Sequence, residues 1–416
     1  MPLSTEPADL DLDEVDLTDT RTFHDLDLPS LWRRFRAEKP LHWHRPTEQG
    51  PGFWVVSRYA DVVDVYRDDQ RFTSERGNVL ATLLHGHDSA SRKMLAVMDG
   101  PRHRELRNLM LRSFTPRALA PVVEGVRRRT DALVRAALEI GEVDFVTDVA
   151  DHIPINTIGD LMDIPAADRA QLVAWNTLTL SRHQDETEAD ERTARNEILR
   201  YFSELAGHRR KHPGDDLISV LATATVDGEA LTEEEIVLNC YSLIIGGDES
   251  SRMSSTGGLI ALAEHPQQWQ ALKEGSVTLD SASEEVLRWS TPAMHFGRRA
   301  LVDVPMGDQM LMAGDVVTLW NSSANFDETV FADPHRFDLA RTPNRHVAFG
   351  HGPHFCLGAY LGRLHVSAMM ESLRSSVSAI SLLSPPERLH SNFVQGYSHL
   401  RVSLAPTRTA DGAAVG

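Results

Sequence analysis

Near the C-terminal end, Phe349-Gly350-His351-Gly352-Pro353-His354-Phe355-Cys356-Leu357-Gly358 delivers one cysteine to the start of an apolar helical pattern. Glycines there allow tight turns and a close approach to a flat group. A helix starting at Leu357 would aim its unpaired N–H groups and positive dipole end at the sulfur. Both effects favour a thiolate over a thiol. A thiolate on haem iron favours O–O cleavage, the chemistry of oxygen insertion. A lone cysteine in a Gly-rich turn also reads as a small buried core residue. Cys356 is thus read as an iron ligand, with plain packing as the alternative.

A second chemical stretch is Gly246-Gly247-Asp248-Glu249-Ser250-Ser251, midway along a long helical pattern. Each interior glycine costs a helix about 1 kcal/mol relative to alanine, so an adjacent pair wants a reason. Close helix packing is one. Room for a group lying against the helix is the other. The acids and hydroxyls that follow favour the second, because oxygen chemistry in a dry pocket needs protons brought in by a short relay.

The elements that must position these residues are mainly helical. Thr232 to Glu235 is a capping-box start, and apolar periodicity runs from there to His265-Pro266. A helix over 233–264 would be about 48 Å long, enough to cross a domain. Thr115-Pro116 opens another helix toward Ile140, and more are expected over 146–162, 166–181 and 188–210. Ser281 to Glu284 starts a short helix that ends before Pro292. Gly52 to Tyr59 has strand composition and leads into a helix to Arg67, whereas 77–97 loses periodicity and reads as a functional loop. Short strands are expected within 298–320, and 393–404 reads as a terminal strand pair. The fold class is mainly α with a minor β portion, arranged as a single domain over 26–405. An acidic flexible arm over 1–25 and a flexible tail over 406–416 complete the division.

Hydrophobic residues make up 41% of the 416, and the formal charge is −18, which disfavours nucleic acid or an anionic membrane as a partner of the whole surface. No stretch approaches ~18 uninterrupted apolar residues, so no membrane span or leader is expected. With two cysteines, Cys240 and Cys356, there is no disulfide framework; a reducing cytoplasm is the expected location and Cys240 reads as core.

All ten positions of the cysteine loop resemble, without a mismatch, the haem-binding loop of the cytochrome P450 family, the haem-thiolate monooxygenases. The resemblance covers about 30–405 and implies the family's triangular, mostly helical fold, with haem b as cofactor and Cys356 as its axial thiolate. Phe349 and Gly350 belong to the same loop. Gly246 to Ser251 is similar to the family's oxygen-activation motif, (Ala/Gly)-Gly-x-(Asp/Glu)-Thr-(Thr/Ser). This implies that Gly247 lies by the haem, that Glu249 and Ser250 deliver protons, and that Asp248 belongs to the catalytic set. Serine replaces the usual threonine, keeping the hydroxyl and losing the methyl that restricts its rotamer; Ser251 or a water is the alternative donor. Glu285-Val286-Leu287-Arg288 alone is an ordinary helical pair. Beside the cysteine loop it resembles the Glu-x-x-Arg motif, which implies a buried ion pair completed by an arginine, best matched by Arg336 with Arg341 as second candidate. His103 and Arg107, one turn apart, resemble the family's propionate clamp, with Arg298 and His354 as its other contributors.

The resemblance further implies electrons from a ferredoxin and ferredoxin reductase, docking behind the cysteine loop near Arg104, Arg112, Arg345 and Arg363. A monomer is expected. Substrate contacts are expected from Leu83 and Leu84, Leu243 and Gly247, Met294 and Phe296, and Phe393 and Val394, with His295, Gln395 and Tyr397 as polar anchors. The tail from Ser391 to Gly396 is similar to that of members in natural-product biosynthesis, some acting on carrier-protein-bound acids. A free polyketide or aromatic compound is the other substrate class. Other reaction classes of the family, peroxide-using or nitrogen-oxide-reducing, and a non-catalytic recruiting module are the rival readings.

Overall fold

The computed structural model describes residues 10–180 and 188–407. Residues 1–9 and 408–416, expected as flexible ends, lie outside the described residues, as does the Ser181 end of one expected helix.

The helix Glu233–Glu264 is the axis of the molecule. Thr232 and Glu235 close its capping box, each side chain accepting the other's backbone N–H. Helices His152–Leu161, Glu188–Lys211, Leu279–Ser290 and Ala359–Ser376 pack directly on it, and Pro116–Ile140 packs across two of these. Ile236, Cys240, Ile244 and Leu259 of the long helix share a core with Ile158, Phe202, Val286 and Met369. The approach is close enough that a β-carbon on Gly258 would stand 2.7 Å from Val286 Cγ1.

To one side lies a five-stranded mixed sheet in the order Leu41–His44, Phe53–Val56, Val316–Trp320, His295–Ala300, Phe72–Thr73. Its register sets Arg298 opposite Val317 and so carries that arginine inward. The 77–97 loop contains a helical turn, Leu80–Leu84, against the strand His295–Ala300.

Several expectations need correcting. The acidic segment is packed from residue 10 onward: Leu12, Leu17 and Phe23 are buried, Leu17 N–H donates to His44 Nε2 at 3.0 Å, and Phe23 stacks on Trp320. The acids alternate with these apolar residues, which anchor the segment while the carboxylates face out. The Leu279–Ser290 helix begins two residues early because the Thr278 hydroxyl caps Ser281 N–H. Residues 393–404 do not pair with each other. Arg401–Pro406 pairs with Val377–Leu382 and Glu142–Asp144, while Tyr397–His399 pairs with Glu387–Arg388.

Glu285 and Arg288 are wholly buried and joined by two 2.8 Å hydrogen bonds. The third member is Arg341, whose Nε lies 3.1 Å from Glu285 Oε2, and not Arg336. Arg336 is exposed, and its part is played by its carbonyl, which accepts from Arg341. The turn around Asp338 brings the later arginine back over Glu285, a geometry that spacing along the chain does not reveal. Removing one partner of a buried ion pair leaves an uncompensated charge. Arg341→Met should therefore destabilise by on the order of 3 kcal/mol in denaturant titration, whereas Arg336→Met should stay within ~0.5 kcal/mol. The reverse ranking would contradict the assignment.

Candidate active site

The cysteine loop leaves its sheet-side neighbours through two glycines in the left-handed region, Gly350 at φ +67° and Gly352 at φ +69°. At Gly352 a β-carbon would meet Tyr66 O at 2.5 Å, so only glycine fits. The Cys356 N–H bonds back to Phe349 O at 2.9 Å, closing the loop, and the Phe349 ring lies under the Arg363 guanidinium at 4.7 Å. The following helix starts at Ala359, two residues later than the sequence pattern suggests. This lessens the electrostatic help expected for the sulfur. Burial pushes the Cys356 thiol up, and the Gly358 N–H, Arg107 and Arg363 only partly oppose it. A metal would have to supply the rest of the positive charge as it displaces the proton. Cys356 nevertheless keeps accessible surface, while Cys240 has none and sits in the core as expected.

Beside the loop stands a group of cationic and polar side chains that do not satisfy one another. Arg298 is buried, its guanidinium hydrogen-bonds only to its neighbour Gly297 O among the described residues, and its remaining cover is the Tyr66 ring at 5.5 Å. Burial holds its pKa below the usual arginine value, with Tyr66 and Asp99 opposing. His103 is buried with no partner at Nε2 among the described residues; burial, then His354 and Arg107, bring its pKa down to about 4. Its ring lies 4.4 Å from that of His354. Arg107 reaches the Phe355 carbonyl. His354 Nε2 pairs with Asp99 Oδ1 at 2.8 Å, and Asp99 also accepts from Thr73 and from Ser74 N–H. Burial raises the Asp99 carboxyl, yet these bonds outweigh it and bring its pKa to about 2. Asp99, which sequence reasoning passed over, fixes His354. Nothing but its place before a Gly-Pro helix start could have flagged it. Buried cations and an orphaned imidazole nitrogen are a cradle for carboxylates, and the two propionates of haem are the right chemistry.

On the long helix the two glycines divide the roles that the sequence left open. A β-carbon on Gly247 would press on Ile158 Cδ1 at 3.0 Å, so Gly247 serves helix packing. Gly246 is exposed and a β-carbon there would meet nothing within 4 Å. It is the glycine that opens space, in place of Gly247. Ser250 shares its face, donating to Gly246 O at 2.8 Å, whereas Ser251 is buried. Glu249 is paired with Arg252, which also reaches Asp151 at 3.3 Å. Asp248 lies about 200° round the helix from Ser250, where Asn176 of the helix Ala166–Leu180 donates to it at 2.8 Å. It therefore faces away from the relay with which it was grouped.

Of the expected substrate contacts, Leu84, Leu243, Phe296 and Phe393 are half-buried, and the last two rings meet edge to face at 5.8 Å. Leu83, Met294 and Val394 are buried instead. Leu83 and Met294 share a core with Trp320, and a bridge joins Val394 to Ala293. His295 is sandwiched between Trp320 and Phe393. Gln395 turns to Ser290 O.

Residues 154–376 match the family model described as Cytochrome P450. Over 97% of its length the chain is 44% identical to cytochrome P450 NovI of Streptomyces niveus, all of which is covered. The chain belongs to the cytochrome P450 family. The steroid C26-monooxygenase of Mycolicibacterium smegmatis is 32% identical over 97% of this chain and 95% of that one. Among solved structures, the P450 OxyD, described as involved in the biosynthesis of vancomycin-type antibiotics, superposes with a TM-score of 0.88 at 34% identity, covering 94% of this chain and all of that one. This P450 is accordingly a haem-dependent monooxygenase with the family's fold. Among the described residues no helix is long and apolar enough to cross a membrane.

Replacing Arg298 by leucine should speed haem loss to a scavenging apoglobin roughly 10- to 100-fold, the worth of a charge-assisted hydrogen bond. The same change should stabilise the haem-free chain, which no longer buries an unpaired cation. Equal haem retention in the two proteins would remove Arg298 from the cradle.

Proposed function

We propose that Cys356 ligates the haem iron and that this P450 inserts one oxygen atom, as a hydroxyl or an epoxide, into a small natural-product intermediate. The observation that carries the reading is the pairing of an accessible cysteine with the buried Arg298 and the orphaned His103 imidazole on one side and an open, hydroxyl-bearing stretch of the long helix on the other. When bound, haem supplies the binding and reductive splitting of dioxygen. The chain supplies the rest. Arg298, His103 and Arg107 hold the propionates, with His354 kept beside them by Asp99. The Ser250 O–H, which donates to Gly246 O at rest, would turn to the open space to pass its proton, and Glu249 is the neighbouring acid that would return one; Arg252 holds Glu249 and the partly buried Asp151 in place and stays charged throughout. Gly246 leaves the room that the substrate and dioxygen need. The side chains of Leu84, Leu243, Phe296 and Phe393 supply an apolar wall.

The relative at 44% identity and the neighbour from vancomycin-type biosynthesis support a natural-product substrate, either a free polyketide or aromatic compound or an acid carried on a carrier protein. The steroid-oxidising relatives are more distant. A panel of such compounds titrated into the ferric protein should contain at least one that shifts the Soret band by displacing iron-bound water and is then turned over. A steroid preferred over the whole panel would contradict the reading.

Electrons would come one at a time from a ferredoxin and its reductase, docking behind the cysteine loop. Arg112 and Arg345 are exposed there, with no ion pair among the described residues. Arg104 stands 4.0 Å from Asp69, and Arg363 is committed to Glu284 at 2.5 Å and to the Phe349 ring. Arg112→Glu should therefore slow the first reduction by ferredoxin, most at low salt, and leave dithionite reduction intact. A rate indifferent to this change and to salt would move the docking site elsewhere.

For the relay, Ser250→Ala should keep substrate binding while diverting reducing equivalents to hydrogen peroxide, lowering product per NAD(P)H about 10-fold or more. An unaltered ratio would pass the role to Ser251 or water.

A further inference from the structure

The helix Ala166–Leu180 rests on the long helix in an unusual way. Among its described side chains only Leu172 and Asn176 are wholly buried, so a polar amide stands where an apolar residue would normally anchor the element. Asn176 Nδ2 donates to Asp248 Oδ2 at 2.8 Å, and Asn176 Oδ1, equally buried, has no partner among the described residues. An orphaned buried acceptor beside a buried carboxyl asks for a proton between them.

The surrounding charges say where that proton comes from. Asp248, Glu249 and Asp151 are three carboxylates around one guanidinium, Arg252. Arg252 is engaged by Glu249 and Asp151, and no cation among the described residues hydrogen-bonds Asp248. His152 adjoins Asp151 at the exposed end, and from the Glu188–Lys211 helix the charges facing this side of the long helix, Arg195 and Glu191, pair with each other near Tyr241. Full ionisation would bury two net negative charges in a poor solvent for them. The carboxyl whose only hydrogen-bond partner among the described residues is a neutral amide is the one that keeps its proton.

We propose that Asn176 and Asp248 form a proton-dependent latch, in which the amide N–H donates to the acid carbonyl and the acid O–H donates to the amide oxygen. Ionisation of Asp248 removes the second bond and sets two acceptors face to face. One bond then holds the Ala166–Leu180 helix where two did before. Burial, with Glu249 adding to it against Asn176 and Arg252, brings the Asp248 pKa up to about 7, so the change falls within the physiological range. The sign follows from linkage. The folded state binds more protons than the unfolded one between about pH 4 and pH 7, so the latch stabilises at low pH and weakens as pH rises through 7. Asp248 stands two residues from Gly246 but on the far side of the long helix, and Asn176 acts as a positioning residue for the Ala166–Leu180 helix on that side. Its consequence for substrate access rests on the function proposed above; the latch itself does not.

Hydrogen exchange of the haem-loaded protein, corrected for the intrinsic pH dependence, separates these claims. Amides over 168–179 should lose protection roughly fivefold between pH 6 and pH 8.5, with the Pro116–Ile140 helix unchanged. Asp248→Asn, which keeps an amide pair able to make both bonds, should abolish the pH step and stay protected at both values. Asn176→Leu should be pH-independent as well, with rapid exchange throughout. A wild-type helix whose protection ignores pH, or an Asp248→Asn protein that retains the step, would overturn the latch. If the step is present but the binding rate of imidazole to the haem does not follow it, the latch stands and its influence on substrate access fails.

Discussion

The fold depends on one buried carboxylate. Glu285 accepts from Arg288, Arg341, Asn344 and the Asp338 N–H, so every lone-pair direction is used and the cost of burying the charge is met by geometry. Through these bonds a single side chain ties the Leu279–Ser290 helix to the irregular stretch that precedes the cysteine loop. Arg288 continues the chain of contacts to the Asn325 carbonyl, and Asn325 Oδ1 receives the N–H of Val347, two residues before Phe349. The neighbouring acid, Glu284, holds the loop from the other end. It takes Arg363 from the helix after the loop and His346 from before it, and although burial raises its carboxyl, these partners bring its pKa to about 2. Two consecutive glutamates thus clamp both flanks of the segment that carries Cys356.

A loop held so firmly can present a sulfur without relying on a bound metal for its shape. The opposite economy applies to the propionate cradle. Arg298 and His103 are buried with no carboxylate hydrogen-bonded to them among the described residues, and two propionates would relieve that cost. The scaffold is satisfied internally while the cradle is left wanting, and the difference between them marks the cofactor position as clearly as the cysteine does. The long helix follows the same division: Gly258 and Gly247 serve packing, and Gly246 alone of these opens space.

Much of this was legible in the sequence because it is local. Capping boxes, the proline at a helix start and glycines at positive φ are set by residues within one turn of each other, and the helix Glu233–Glu264 and the Pro116 start follow from them. The chemistry of the loop was legible for the same reason. What escaped depends on chain return. Arg341 rather than Arg336 reaches Glu285 because a turn folds back between them. Asp99 meets His354 across 255 residues, and Asn176 meets Asp248 across 72. The acidic N-terminal segment is deceptive by composition, because its charge dominates the residue count while the leucines interleaved among the acids are the part that packs. Leu83 and Met294 misled through an apolarity that suits a substrate wall and a core equally well.

The most direct test of the account is the spectrum of the dithionite-reduced, carbon monoxide-bound protein with each cysteine changed in turn. The wild-type chain and Cys240→Ser should both show the strongly red-shifted Soret band of thiolate-ligated haem, and Cys356→Ser should lose that band while still retaining haem in its cradle. A red-shifted band that survives in Cys356→Ser, or one that disappears in Cys240→Ser with the fold intact, would contradict the assignment of Cys356 as the ligand.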